Sequence, residues 1–328
     1  MIDRAGRVRA VSLMFALLAG SGGWPTRAAG EDWQVQRGNV TVMASGSADI
    51  AARAATRVLQ MQYAGRWLFG WSSDFNPSST LVFALPEAVI RARFVVPDTP
   101  ASVAVHPGGA VGSVVVTPQM TLLMFPVGTA RGHELDALQY LYGQALLRTA
   151  PANRWPECPK LGFGMLFAGA EFTGSTHIYL AGDVVRAYRA LPPDQFLAAD
   201  LPVADSQAML DRRAYACYAL ARMMAETPND QRASYGALFQ ALGTGAALTD
   251  AVPAPLGGSL DEFTKRYLQY VDQFQFQPRT HDIRVDLPDP LPAERSPEKV
   301  VPERMQAVLA QLCGRIGECR ATAPATAH

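Results

Sequence analysis

Lysine is almost missing from this chain: Lys160, Lys265 and Lys299 are the only three, and arginine carries nearly all the positive charge. Lys plus Arg total 29 against 29 for Asp plus Glu, so there is no basic excess to track a phosphate backbone, and nucleic acid is not expected as a partner. Histidine is also sparse. His106, His133, His177, His281 and His328 are scattered, and no two lie three or four apart, so a zinc pair on one helical face cannot be built from them. No CxxC occurs, which argues against zinc ribbons and thioredoxin-like redox chemistry. No GxSxG elbow and no GxxxxGK[ST] loop is present, leaving a hydrolase serine and a nucleotide-triphosphate cradle unsupported. Gly162-Phe163-Gly164 lacks the third glycine of a dinucleotide loop and follows no strand. Long apolar runs are absent beyond the first thirty residues, so no later segment is expected to cross a bilayer.

The 328 residues, 49% hydrophobic and 18% charged, suffice for one large or two modest domains with ample core. The amino terminus has Arg4, Arg7 and Arg9, then the apolar run Ala10 to Ala19, then Thr26-Arg27-Ala28. That order is a secretory signal peptide over residues 1–28, too short in its apolar part to span about 30 Å of hydrocarbon as a helix. Cleavage removes four arginines and one aspartate and leaves 25 basic against 28 acidic residues, a net charge of −3. The mature product is expected to be periplasmic or secreted, with no integral membrane segment.

Four cysteines in an exported chain are expected to pair rather than to bind metal. Three connectivities exist, and the short loop between Cys313 and Cys319 favours that bridge, leaving Cys158 with Cys217.

The periodicity divides the mature chain into an N-terminal mixed α/β region over 29–130, a mainly helical region over 131–275, and a proline-rich strap with a short terminal helix over 276–328. The fold class expected is α+β. Trp33 to Gln36 and Val40 to Ala44 flank Arg37-Gly38-Asn39 as a hairpin. Ile50, Ala54, Val58 and Met61 mark a helix over 49–63. Thr80 to Leu85, Val103 to Val105, Val114 to Thr117 and Leu122 to Phe125 read as strands, and Pro86 opens a helix over 87–94. Helices follow over 133–149, 161–171, 205–226 and 229–242. Ser259 to Glu262 is a capping box opening another, with Phe263, Tyr267, Tyr270 and Phe274 on one side. Six prolines fall within 278–302, and a last helix runs from Pro302 to Cys313 with Gly314 as its stop.

His133-Glu134-Leu135-Asp136-Ala137 begins like HExxH but has Ala137 where the second imidazole belongs. His133 as ligand or shuttle and Glu134 as general base form one reading. A solvated helix start, where Glu134 and Asp136 face the positive end of the dipole, is the other.

Leu138-Gln139-Tyr140-Leu141-Tyr142-Gly143-Gln144-Ala145-Leu146-Leu147-Arg148 and Cys158-Pro159-Lys160-Leu161-Gly162-Phe163-Gly164-Met165-Leu166-Phe167 together resemble exported gluzincin-type metallopeptidases of the peptidase MA-like (DUF1570-like) group. Those enzymes carry H-E-Y-x-H-H-L-L on one helix and P-x-W-x-x-E-G-x-A on the next. Tyr142, Leu146, Leu147, Pro159 and Gly164 match. Tyr140 and Gln144 stand where the resemblance places the histidines, Leu141 replaces the glutamate base and Phe163 the third ligand. The segment Thr176 to Gly182, the helix over Tyr215 to Met224 and the helix ending near Tyr270 also fit the group's order of elements. The resemblance implies a zincin-like fold with a vacated groove and no metal or other cofactor, since a phenol, an amide and a phenyl ring cannot hold zinc and leucine cannot accept a proton from water. It implies a non-catalytic protein that binds a peptide, an envelope polymer or a partner protein at Tyr140, Gln144, Phe163, His133 and Glu134. The alternative is a metal-independent hydrolase with a carboxylate pair drawn from Glu134, Asp136, Glu157 and Glu171, which needs two carboxyls about 5–10 Å apart.

Overall fold

In the computed structural model the described residues are 31–69, 79–87, 90, 112–117, 119–127, 135–149, 154–173, 177–180, 190–197, 206–276, 281–284 and 291–316. The signal segment expected at 1–28 and the strand expected at 103–105 lie outside them.

Strands β1 (Asp32–Arg37) and β2 (Val40–Ser45) form the expected hairpin, closing on Gly38-Asn39 with Arg37 opposite Val40. The turn needs a left-handed residue, and Gly38 supplies it at φ +56°. Helix α1 (Ala48–Phe69) then returns the chain so that β3 (Ser79–Pro86) joins β2 in parallel. Strand β4 (Ser113–Val116) runs antiparallel to β5 (Met120–Val127), which lies parallel to β3.

Alternation along the strands sends two sets of side chains to opposite faces. Val40, Val42, Ala44, Val82, Ala84, Leu123 and Phe125 join the main core, together with Ala54, Ala55, Val58 and Met61 of α1. Met43, Phe83, Leu85, Leu122 and Met124 form a second, smaller core on the other face. The last helix covers it through Met305 and Leu309.

The helical half comprises α2 (Asp136–Leu146), α3 (Glu157–Ala168), α4 (Gln207–Glu226), α5 (Asn229–Gly243), the short α6 (Leu248–Ala251) and α7 (Leu260–Phe276). Helix α2 is three residues shorter at each end than the expected 133–149, and both ends of α3 are displaced. The helix expected from Leu161 begins at Glu157, because prolines 156 and 159 fall at a helix start, where a missing N–H costs nothing. It ends at Ala168 on Gly169, and Ala170–Thr173 is strand β6 rather than helix. One half of the expected capping box is formed: Glu262 N–H donates to Ser259 Oγ at 3.3 Å. Phe263, Tyr267 and Val271 of α7 are fully buried, and the Tyr267 hydroxyl donates to the Ala216 carbonyl of α4.

Strand β7 (His177–Leu180) pairs with β6, and β8 (His281–Arg284) with β7, all antiparallel. Strand β9 (Glu298–Val300) then adds to β1, giving a six-stranded sheet of order β4-β5-β3-β2-β1-β9. The proline-rich segment therefore donates one strand to each sheet. Arg37 fastens it further by donating from Nε to the Pro292 carbonyl at 2.8 Å. Helix α8 (Pro302–Ile316) continues through Gly314, which is helical rather than a stop. The architecture is α+β, a mixed sheet followed by a mainly helical region. None of the helices among the described residues is long and apolar enough to cross a membrane.

Candidate functional site

Helix α3 is squeezed between α2 and α4, and its glycines permit the approach. A Cβ at Gly162 would lie 2.1 Å from the Cys217 carbonyl oxygen of α4. On the α2 side, a Cβ at Gly164 would lie 2.7 Å from Gln144 Cγ and 3.0 Å from the Tyr140 carbonyl oxygen. Gly143 of α2 answers from opposite, 2.9 Å from Phe167 and 3.0 Å from the Phe163 carbonyl oxygen by the same construction. Gly162-Phe163-Gly164 is thus a packing device with one glycine for each neighbouring helix. A disulfide joins Cys158 to Cys217 and pins α3 to α4 beside the Gly162 contact. Cys319 lies outside the described residues, and with it the pairing expected between Cys313 and Cys319.

Helices α2 and α3 run antiparallel: Gln139 donates to the Phe167 and Ala170 carbonyls, Gln144 lies over Gly164, and Arg148 faces Glu157. This pairing brings Tyr140 and Gln144 to the Phe163-Gly164 segment. All three side chains are buried, at 3%, 6% and 0% exposure. Tyr140 and Gln144 are hydrogen-bonded to each other, and burial pushes the Tyr140 phenol up to about 12. The Phe163 ring turns toward α1 and packs edge-on against Phe69 at 4.6 Å. Phe69 also meets Trp155, and Trp155 meets Phe239 of α5, so Phe163 belongs to an aromatic seam through the centre of the molecule. Leu141 points at Gly112 beside β4. These residue types do not fit a zinc ion, and no group of three His, Cys, Asp or Glu among the described residues is placed to hold one.

The crossing reaches solvent at the Arg148 end. Arg148 donates from Nη2 to Gln144 Oε1 at 3.4 Å and faces Glu157 Oε2 at 3.5 Å, and Lys160 Nζ meets Glu157 Oε1 at 3.0 Å. The Lys160 side chain is only 7% exposed, whereas that of Glu157 is 76% exposed. A guanidinium and an ammonium thus converge on one solvated carboxylate, and the Gln144 amide, itself bonded to the Tyr140 phenol, reaches it only through Arg148.

The opposite end of α2 is structural. Asp136 opens the helix there and interacts with Arg57 of α1. Burial lowers the Arg57 guanidinium to about 10, with Asp136 opposing the shift and Arg53 adding to it. Arg57 also donates to Gln139 Oε1 and lies over the Phe172 ring at 4.5 Å. His133 and Glu134 lie outside the described residues, and the helix starts after them. Asp136 and Glu157 occupy opposite ends of the α2–α3 pair, separated by roughly 16 Å, the length of eleven helical residues. That exceeds the reach of a carboxylate pair. Glu171 is an exposed residue of β6, near the Asp136 end.

Sequence reading missed Arg148 and Lys160 as partners of one carboxylate. The signal was present as Arg148, Glu157 and Lys160 flanking the α2–α3 connection, and became legible only with the antiparallel pairing. No family model matches the chain, and no curated protein matches it.

Proposed function

We propose that the chain is an exported, non-catalytic protein of zincin-like architecture that binds a peptide, a cell-envelope polymer or a partner protein where α2 meets α3. One observation carries this reading: Tyr140 and Gln144, four apart on α2, meet the Phe163-Gly164 segment of α3 across a glycine-tight crossing. The gluzincin resemblance implies two ligands on one helix and a third on the next, and the reading is supported by the 163–164 backbone standing beside α2, although the Phe163 ring itself turns onto Phe69 of α1. The side chains that meet at the crossing are a phenol and an amide, with the Phe163 ring packed behind them against α1, so hydrogen bonding and packing remain and metal-assisted hydrolysis does not. The order of elements agrees with the resemblance, from mixed sheet through α2 and α3 to an antiparallel hairpin, long α4 and cap-boxed α7. Export to the periplasm or beyond is supported by the Arg-rich, apolar, small-residue order of residues 1–28 and is compatible with the buried Cys158–Cys217 bridge. Purified mature protein is expected to hold no stoichiometric zinc and to leave casein and a peptide library intact. Zinc-dependent proteolysis would overturn the reading.

A further inference from the structure

We propose that Arg148 and Lys160, at the solvated end of the α2–α3 crossing, form a seat for the free C-terminal carboxylate of a peptide, a seat that the Glu157 side chain occupies here. The inference names a ligand class for the binding reading above and rests on it.

The geometry is that of one carboxylate shared between two cations. Glu157 gives Oε1 to Lys160 at 3.0 Å and Oε2 to Arg148 at 3.5 Å. The cations are the fixed partners, because the Lys160 side chain is 7% exposed and that of Arg148 is 24% exposed. A nearly buried ammonium requires a counter-charge, whereas a 76% exposed carboxylate gains little from its ion pairs and leaves them cheaply. Glu157 also serves Arg148 poorly. It faces only Nη2, and Arg148 Nε is buried without a hydrogen-bond partner. The Nε and Nη2 hydrogens form one two-donor edge of a guanidinium, matched in width to a carboxylate. A ligand carboxylate that displaces Glu157 takes Nη2 and keeps the Lys160 contact, and it gains Nε as a second donor when the Arg148 side chain turns that buried edge toward it. A glutamate side chain tethered to the first turn of α3 reaches less of that edge.

The test uses the full mature chain and acetyl-trialanine as the free acid and as the amide, with binding read by calorimetry at low salt. Glu157→Gln removes the internal competitor while leaving both cations. The free acid is expected to bind Glu157→Gln at least tenfold more tightly than wild type, the amide to gain nothing, and Arg148→Gln added to Glu157→Gln to abolish the gain. Equal binding of acid and amide by Glu157→Gln would overturn the carboxylate seat and leave the binding reading standing. Binding of neither form by any variant would overturn the seat, whereas the binding reading falls only on the zinc and proteolysis assays above. Inorganic phosphate competing with the free acid at equal affinity would overturn the assignment to a peptide carboxylate, because the seat would then select charge alone.

Discussion

Alanine replacements at Gly162 and Gly236 should move stability in opposite directions. Both glycines lie inside helices, α3 and α5, so each substitution gains about 1 kcal/mol of helix propensity. At Gly236 the new methyl would meet only the Trp155 ring at 3.8 Å, an ordinary contact, and the gain is retained. At Gly162 it would stand 2.1 Å from the Cys217 carbonyl oxygen, 2.6 Å from its carbon and 3.0 Å from Ala221 Cβ. None of these atoms can rotate away. Helices α3 and α4 must part by about 1 Å in a core packed to crystal density. The Cys158–Cys217 bridge, one turn from Gly162, resists that movement. Overpacking of this kind costs about 1–3 kcal/mol or more, so after the propensity gain Gly162→Ala should lose about 2 kcal/mol while Gly236→Ala gains about 1. Urea unfolding followed by circular dichroism measures both. Two variants that shift the midpoint in the same direction would refute the tight α3–α4 crossing, and with it the placement of Phe163 and Gly164 against α2.

Reduction of Cys158–Cys217 opens a closure of 59 residues and should cost about 4 kcal/mol on the loop-entropy relation, seen as a lower urea midpoint in reductant. Non-reducing digestion should yield the Cys158 and Cys217 peptides as one species. Burial pushes the phenols of Tyr140 and Tyr142 from the ordinary 10.0 up to about 12, so the folded state holds these protons more tightly than the unfolded chain. Their contribution to stability is complete below about pH 10 and is lost as pH rises toward 12. Unfolding midpoints that stay level across that interval would contradict the burial of both rings, and Tyr142→Phe should make the decline shallower. On the second face of the sheet, Leu309→Asp should loosen α8 from Met43, Phe83 and Met124 and raise binding of an apolar dye, whereas Val301→Asp, at 63% exposure, should leave it unchanged.

The parts of the fold legible in the sequence are those specified by neighbours in the chain. Gly38-Asn39 between alternating apolar runs fixes a two-residue hairpin, and Ser259 with Glu262 fixes the start of α7. The spacing of Ala54, Val58 and Met61 gives the buried face of α1, although the helix extends six residues beyond the Tyr63 expected as its end. Contacts made at long range were not legible. Nothing local reveals that the proline-rich segment lends a strand to each sheet, because the pairing depends on where β1 and β7 lie open. In sequence Gly162-Phe163-Gly164 compares with a dinucleotide loop and falls within the gluzincin resemblance, but its packing role is not legible, since a glycine needed for close approach looks the same in sequence as one needed for a turn. The candidate site was legible as residue types and spacing on α2. The inward turn of Phe163 onto Phe69 and the gathering of Arg148 and Lys160 around Glu157 depend on how three helices pack.

Grafted zinc ligands test the placement of α3 against α2 most directly. Tyr140→His with Gln144→His makes a two-imidazole site on one face of α2, and Phe163→Glu supplies a carboxylate from α3 once its side chain leaves the Phe69 face and turns toward α2. Zinc affinity measured by competition with a chromogenic chelator should be at least tenfold tighter for the triple variant than for the double variant. A folded triple variant that binds zinc no more tightly than the double would place residue 163 out of reach of residues 140 and 144, and the zincin-like reading of the crossing would fall.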